Sequence, residues 1–282
     1  MLIIGQQQDT LEAYINDIGL VPGGFMAYTS IQQMDGLDLP ADHGAGINDA
    51  RYEADRYPHA VIQLALYMVG ALDGVIGGKY DANIAALAKW LKSVKRPVYF
   101  RIGYEFDLPD NAYDPKKYQQ AYRYIVDRLR AHSVSNVAYV WHSAAMIQQA
   151  GPYLDWYPGD DYVDWVAVSI FNPMQIKPSK DLVAFARQHR KAFMIAESSP
   201  AGLVSTGAKK EWFRHYFDFI QESDIKIVCY INSFWDTYPM FKALHWGDAR
   251  VQADPAIKAM WLRETKTYLR SYPGLFNRLS GP

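Results

Sequence analysis

The chain has 282 residues, half of them hydrophobic, and a formal net charge of −1. That length suits one large α/β barrel or two small domains, and the near-zero charge leaves no electrostatic footprint for nucleic acid or a membrane surface. Cys229 is the only cysteine, which excludes an intrachain disulfide and a cysteine-based metal site.

The chain opens on Met1-Leu2-Ile3-Ile4-Gly5, with no charged n-region and no long h-region, so no signal peptide is expected. A signal removed ahead of an added Met would look the same. The expected location is therefore the cytoplasm, or the periplasm or exterior if such a segment was cleaved. No apolar stretch reaches membrane-spanning length, and none of the composition suggests a membrane partner.

Short β-type runs then alternate with helical patterns. The strand candidates are Leu2–Gln7, Gly24–Thr29, Ala60–Met68, Pro97–Glu105, Val137–His142, Trp165–Phe171, Ala192–Glu197 and Ile225–Trp235. A long polar segment with Gly36, Pro40, Gly44 and Gly46, Ser30–Pro58, follows the second run and reads as a cleft-shaping loop. Helices are predicted at Asp81–Val94 with Asp81 as N-cap, and at Pro115–Ala131 with Asp114 as N-cap and Pro115 at the first helical position. Two more are predicted at Ala208–Ser223 and Pro255–Leu269, the latter capped by Asp254. Their aromatic stripes read as core. Eight βα units with no linker between them predict a single-domain α/β fold, a (β/α)₈ TIM barrel over residues 1–282. An open doubly wound sheet is the alternative, but no Gly-x-Gly-x-x-Gly follows the first strand.

The fourth run carries the chemistry. Its alternation puts Tyr99, Arg101, Gly103 and Glu105 on one face, and Val98, Phe100, Ile102 and Tyr104 on a helix-packing face. An apolar strand that stops on a carboxylate delivers an acid to the open end of a parallel barrel. The seventh run, Ala192 to Glu197, stops on a carboxylate in the same way. The residues expected at the mouth are Gln7, Tyr28, Arg101, Glu105, Trp141, His142, Phe171, Asn172, Glu197, Asn232 and Trp235. Two carboxylates across a cleft suit glycoside hydrolysis, one protonating the leaving oxygen and the other attacking the anomeric carbon or activating water. They could equally hold a metal, though no His pairs with them at ligand spacing. No strand-end Lys is placed for a Schiff base, since Lys226 lies at the wrong end. The 8 Trp and 21 Tyr offer surfaces for sugar rings, although most are expected to fill the core.

A Glu ending strand four and a Glu ending strand seven resembles the plan of glycoside hydrolase clan A. Within it, Arg101-Ile102-Gly103-Tyr104-Glu105 is similar to the Arg-x-x-His-Glu motif of family 26 mannanases and xylanases. Asn136 to Ser143 resembles that family's fifth strand, and Tyr162 to Val166 its sixth; the likeness runs from about the third strand to the end. The Tyr104-Glu105-Phe106-Asp107 form also resembles family 158 β-1,3-glucanases.

The resemblance implies a retaining endo-β-glycosidase acting on β-mannan, β-xylan or β-1,3-glucan, working as a monomer without a cofactor or metal. Glu105 is then the acid/base, Glu197 the nucleophile, and Trp235 the floor beneath the cleaved sugar. Retention would place the carboxyls about 5–5.5 Å apart, with the Glu105 pKa raised and Arg101 keeping Glu197 charged. Arg101, Tyr104, Tyr28, Trp141, His142, Phe171, Asn172, Tyr230, Asn232 and Trp235 are the expected substrate-binding set. Two positions depart from the pattern. Tyr104 stands where family 26 has His, and Phe171 where a Tyr orients the nucleophile; Phe cannot donate that hydrogen bond, which leaves Tyr28 or Tyr230 to replace it. A barrel that binds carbohydrate without turning it over is the second reading. In the last loop, Asp248 and Arg250 are expected to pair and close the barrel.

Overall fold

The computed structural model describes residues 1–146 and 152–280. Eight parallel strands close a barrel: β1 (Leu2–Gly5), β2 (Gly24–Ser30), β3 (Val61–Tyr67), β4 (Val98–Ile102), β5 (Val137–Ser143), β6 (Trp165–Ile170), β7 (Ala192–Ser198) and β8 (Ile227–Ile231). Each pairs with its sequence neighbours, and β8 returns to pair with β1. This is the (β/α)₈ architecture expected from the alternation of runs.

The pleat sorts side chains into two apolar bodies. Outward residues such as Phe25, Leu64, Phe100, Trp141, Val168 and Tyr230 pack against the helices. Inward residues such as Ile3, Met26, Val140, Ala167, Met194 and Ile231 fill the barrel. Helices Pro115–Ala131 and Pro255–Glu264 start where expected: Asp114 accepts from the Lys117 amide, and Asp254 from Ala256 and Ile257.

Several boundaries differ from the sequence reading. The last predicted helix stops at Glu264 rather than Leu269, with Thr265 as its C-cap bonding the Trp261 carbonyl through both amide and hydroxyl. Asp81 is the first helical residue, not the cap, and its carboxylate is engaged by Tyr124 and Arg128. The segment 30–58 is not all loop. It holds a small hairpin, Ala41–Asp42 with Ile47–Asn48, and a helix at Ala50–Arg56. Helices at Gln8–Ile18 and Ile176–Gln188 went unread.

The end of β4 sets the direction of Glu105. The strand stops at Ile102, and the chain then turns with Gly103 at φ +56° and Glu105 at φ +52°. A Cβ at position 103 would lie 2.6 Å from Met68 Cε and 2.9 Å from the buried Tyr118 ring. Glycine is therefore required on both conformational and steric grounds. Gly103→Ala is expected to cost about 2 kcal/mol or more in chemical denaturation. It should also lower the activity of whatever Glu105 does, since the turn aims that side chain. Wild-type stability in the variant would show that the turn is not under this constraint.

Candidate active site

Glu197 reaches the barrel interior through an irregularity. Along β7, Met194 and Ala196 face inward, so strict alternation would send residue 197 toward the helices. The β6–β7 register slips between Val168 and Ser169: Val168 pairs with Ile195, but Ser169 pairs with Glu197. Ala196 is the extra residue of a β-bulge, and the bulge turns the next side chain back toward the axis. Glu105 is aimed by the left-handed turn after β4. Its backbone is pinned by Asn111, whose amide donates to the Tyr104 and Glu105 carbonyls.

Beneath the carboxylates lies Arg101, a fully buried guanidinium on the barrel axis. Its Nη1 donates to Glu197 Oε1 and, at 3.3 Å, to His142 Nδ1. Tyr28 donates to the same Glu197 oxygen at 2.9 Å. The Tyr28 and Tyr104 rings lie over the guanidinium, with their centroids 5.1 and 5.3 Å from its central carbon, and meet edge to face at 5.7 Å. On the other side, His142 Nε2 lies 3.0 Å from Ser169 Oγ, which donates to Glu105 Oε1 at 2.6 Å. A continuous path of hydrogen bonds thus joins the two carboxyls below the cleft.

The electrostatics separate the two acids. Burial opposes the charge on Arg101, but Tyr28 and Glu197 outweigh it and the guanidinium stays cationic. It forms a buried ion pair with Glu197. The pKa of Glu105 is raised to about 8, by burial first and by the Glu197 charge second, against the opposing hydrogen bond from Ser169. His142 is held well below the ordinary imidazole range by burial and by Arg101. Tyr28 and Tyr104 are both raised, chiefly by burial and then by Glu197, so their hydroxyls keep their protons.

The expected substrate-binding set divides. Tyr28 and Tyr104 are half-buried around the carboxylates, and Phe171 is half-buried against Trp246, ring centroids 5.0 Å apart. Tyr104 thereby leaves the helix-facing set, because β4 ends before it and the turn breaks the alternation. Asn172 stands exposed at the rim and accepts from the Met174 amide as a turn cap.

The structure places the rest of the set away from the open cleft. Arg101 and His142 are wholly buried beneath the carboxylates; Arg101 uses only Nη1 in the network, toward Glu197 and His142, and both residues position rather than bind. Trp141 faces outward, stacked on Phe106 at 4.5 Å. Tyr230 also faces outward and donates to the Ala249 carbonyl. Asn232 is buried, donating to Gln252 and accepting from the Val251 amide. Trp235 is only 1% exposed, donates to Ser199, and is covered by Phe241 and Trp246. Its ring therefore lies under the aromatic cluster, and Phe171 and Trp246 present the half-open surface instead. Asp248 and Arg250 form the expected pair at 2.7 Å.

Sequence reasoning missed Ser169, Asn111, Trp246 and Asp107. Asp107 is buried and accepts from Ser143 Oγ and the amides of Ala144 and Met146, tying the loop after β5 to the loop after β4. Its place in the charged cluster after β4 was visible; its partner loop was not. Ser169 had a signal as well, being a polar residue at an inward position in an apolar strand. Among the described residues, no group of three or more His, Cys, Asp or Glu side chains is set to hold a metal ion.

The family model of glycosyl hydrolase family 26 matches residues 64–243. A β-1,3-xylanase of a Vibrio species is 34% identical across 99% of this chain and 68% of that protein. Another β-1,3-xylanase, from an Alcaligenes species, is 32% identical across 99% of this chain and 66% of its own length. The chain thus spans about two thirds of these curated relatives. A family 26 β-mannanase from Bacteroides ovatus superposes with a TM-score of 0.71 at 15% identity, over 98% of this chain and 92% of that one. A modular endo-β-1,4-mannanase from Cellulomonas fimi gives 0.71 at 17% identity, over 99% and 74%. At such identities the superpositions speak for the fold. With the family model covering most of the barrel and relatives alike from end to end of it, the chain belongs to glycosyl hydrolase family 26 and is a glycoside hydrolase acting on a β-linked polysaccharide.

Proposed function

We propose that this chain is a retaining endo-β-1,3-xylanase, a single-domain monomer in which Glu197 is the nucleophile and Glu105 the general acid/base. The observation that carries the roles is the different surroundings of the two carboxyls: Glu197 is ion-paired to the buried Arg101 and bonded by Tyr28, while Glu105 accepts from Ser169 and has its pKa pushed to about 8 by burial and by Glu197. The named activity of two relatives supports the choice of β-1,3-xylan over mannan or glucan. A barrel that only bound carbohydrate would have no use for a protonated acid set against an ionised carboxylate.

The chemistry rests on the hydrogen bonds. Glu197 Oε1 is occupied by Arg101 and Tyr28, so Oε2 is the oxygen free to attack the anomeric carbon. As the C1–O bond breaks, the leaving oxygen takes the proton of Glu105, and a glycosyl ester forms on Glu197. Water then enters. Glu105, now a carboxylate, takes its proton while the oxygen attacks C1, releasing Glu197 and a sugar of unchanged configuration. Tyr28 fills the orienting role that Phe171 cannot, from a different strand.

Three outcomes test this reading. Reducing-end release should be highest on β-1,3-xylan among β-1,3-xylan, β-1,4-xylan, β-mannan and β-1,3-glucan, and absent with Glu197→Ala. A different preferred polymer would replace the substrate, and activity in the variant would remove Glu197. Azide should restore turnover of an activated aryl glycoside by Glu197→Ala and give the α-glycosyl azide, whereas Glu105→Ala should keep a fast first step only with good leaving groups. An inverted product from the wild type, seen by NMR of the nascent anomer, would recast Glu197 as a general base. Finally, the acid form of Glu105 is needed and prevails below its pKa. On a poor leaving group, kcat/KM should hold below pH about 8 and fall above it. A profile flat to pH 10 would remove Glu105 as the acid.

A further inference from the structure

His142 and Ser169 are polar, wholly buried, and sit on the inward faces of adjacent strands directly below the cleft. Their hydrogen bonds run in a consistent sequence of directions from the buried cation outward. A guanidinium only donates, so Arg101 Nη1 donates to His142 Nδ1 at 3.3 Å and fixes that nitrogen as the acceptor. The ring proton is then on Nε2, which donates to Ser169 Oγ at 3.0 Å. Ser169 accepts that proton on one of its two lone pairs and donates its own to Glu105 Oε1 at 2.6 Å.

We infer that Arg101, His142 and Ser169 form a one-way hydrogen-bond relay that reserves Oε1 of Glu105 as an acceptor, leaving Oε2 to carry the proton given to the leaving oxygen. His142 and Ser169 are thus positioning residues for the acid. A carboxylic acid can hold its proton on either oxygen, and only one of them faces the substrate. The relay removes that ambiguity and, once the proton has gone, meets the new carboxylate with an O–H polarised by the buried Arg101 charge. The neutrality that burial and Arg101 impose on His142 agrees with the single tautomer required. The groups facing Glu105 are Glu197 from β7, Arg101 from β4, His142 through Ser169, and Tyr104 and Asp107 in its own segment. Among them, Ser169 donates directly to the carboxyl.

The inference rests on Glu105 being the acid/base, and the experiment separates the two. Phenyl and 2,4-dinitrophenyl β-xylobiosides differ in how much they need a proton. Glu105→Ala must lose the first and keep the fast first step on the second; if it does not, the acid assignment itself fails. Given that result, Ser169→Ala should raise the alkaline limb of kcat/KM by about one pH unit, since a hydrogen bond to the carboxylate form is lost. It should also cut the phenyl substrate about tenfold or more while changing the dinitrophenyl one less than about twofold. Ser169→Thr, which keeps the hydroxyl, should restore the wild-type limb. His142→Phe leaves Ser169 in place and should reproduce the leaving-group split, serving as the second reading if Ser169→Ala does not fold. An unmoved alkaline limb, or equal losses on both substrates, in a folded variant would reduce the pair to packing and overturn the relay.

Discussion

A guanidinium buried on the axis of a barrel is the constraint on which the site depends. Arg101 has no access to water, and an uncompensated charge there would cost several kcal/mol. One carboxylate at contact distance neutralises it, and Glu197 is that carboxylate. Burial and the nearby charge then set the state of the second acid. Burial is the larger cost of a charge on Glu105 and the neighbouring Glu197 adds to it, which outweighs the pull of Arg101 and the Ser169 hydrogen bond, so the pKa of Glu105 rises. Two chemically identical side chains thus sit in different electrostatic settings, one ion-paired to the buried cation and the other desolvated beside a carboxylate. The tyrosines that lie over Arg101 complete the arrangement, shielding the guanidinium from the cleft while Tyr28 adds its hydroxyl to Glu197.

Both carboxylates depend on breaks in regular structure. A perfect β7 would have turned residue 197 toward the helices, and a β4 continued past Ile102 could not have placed Tyr104 and Glu105 on the same cleft. The bulge at Ala196 and the left-handed turn at 103–105 correct the two strands by different means. Such turns carry a conformational cost, which the surrounding fixings offset: Asn111 on the carbonyls of the turn, and the Phe106 amide bonded to the His142 carbonyl.

These breaks explain which parts were legible in the sequence. The barrel could be read because eight apolar runs alternate with capped helices, and neither signal depends on side-chain direction. Glu105 and Glu197 could be read as strand-end carboxylates. Direction was where the reading failed, since a period of two is reliable only within an unbroken strand. Trp141 and His142 are adjacent, so one of them had to face the helices, and the stacking on Phe106 settles that it is Trp141. Tyr230 lost its place by the same parity, while Tyr104 gained one through the turn. Trp235 failed for another reason: Phe241 and Trp246, which cover it, come from later in the same loop, and nothing local to Trp235 announces them.

The departure at Phe171 shows how a closed barrel tolerates such changes. What Glu197 receives is a neutral hydroxyl aimed at one of its oxygens, and the geometry makes no demand on which strand supplies it. All eight strand ends converge on the axis, so a Tyr on β2 can reach the same oxygen as one at the end of β6. With the β6 end relieved of that duty, Phe171 packs on Trp246 at the rim, and the inward position of β6 below it, Ser169, serves the other carboxyl instead. The hydrogen bonds are redistributed among strands: β2 and β4 hold Glu197, while β5 and β6 hold Glu105. What persists through the substitution is a set of donors at fixed points around the axis, and the sequence positions that supply them are free to move.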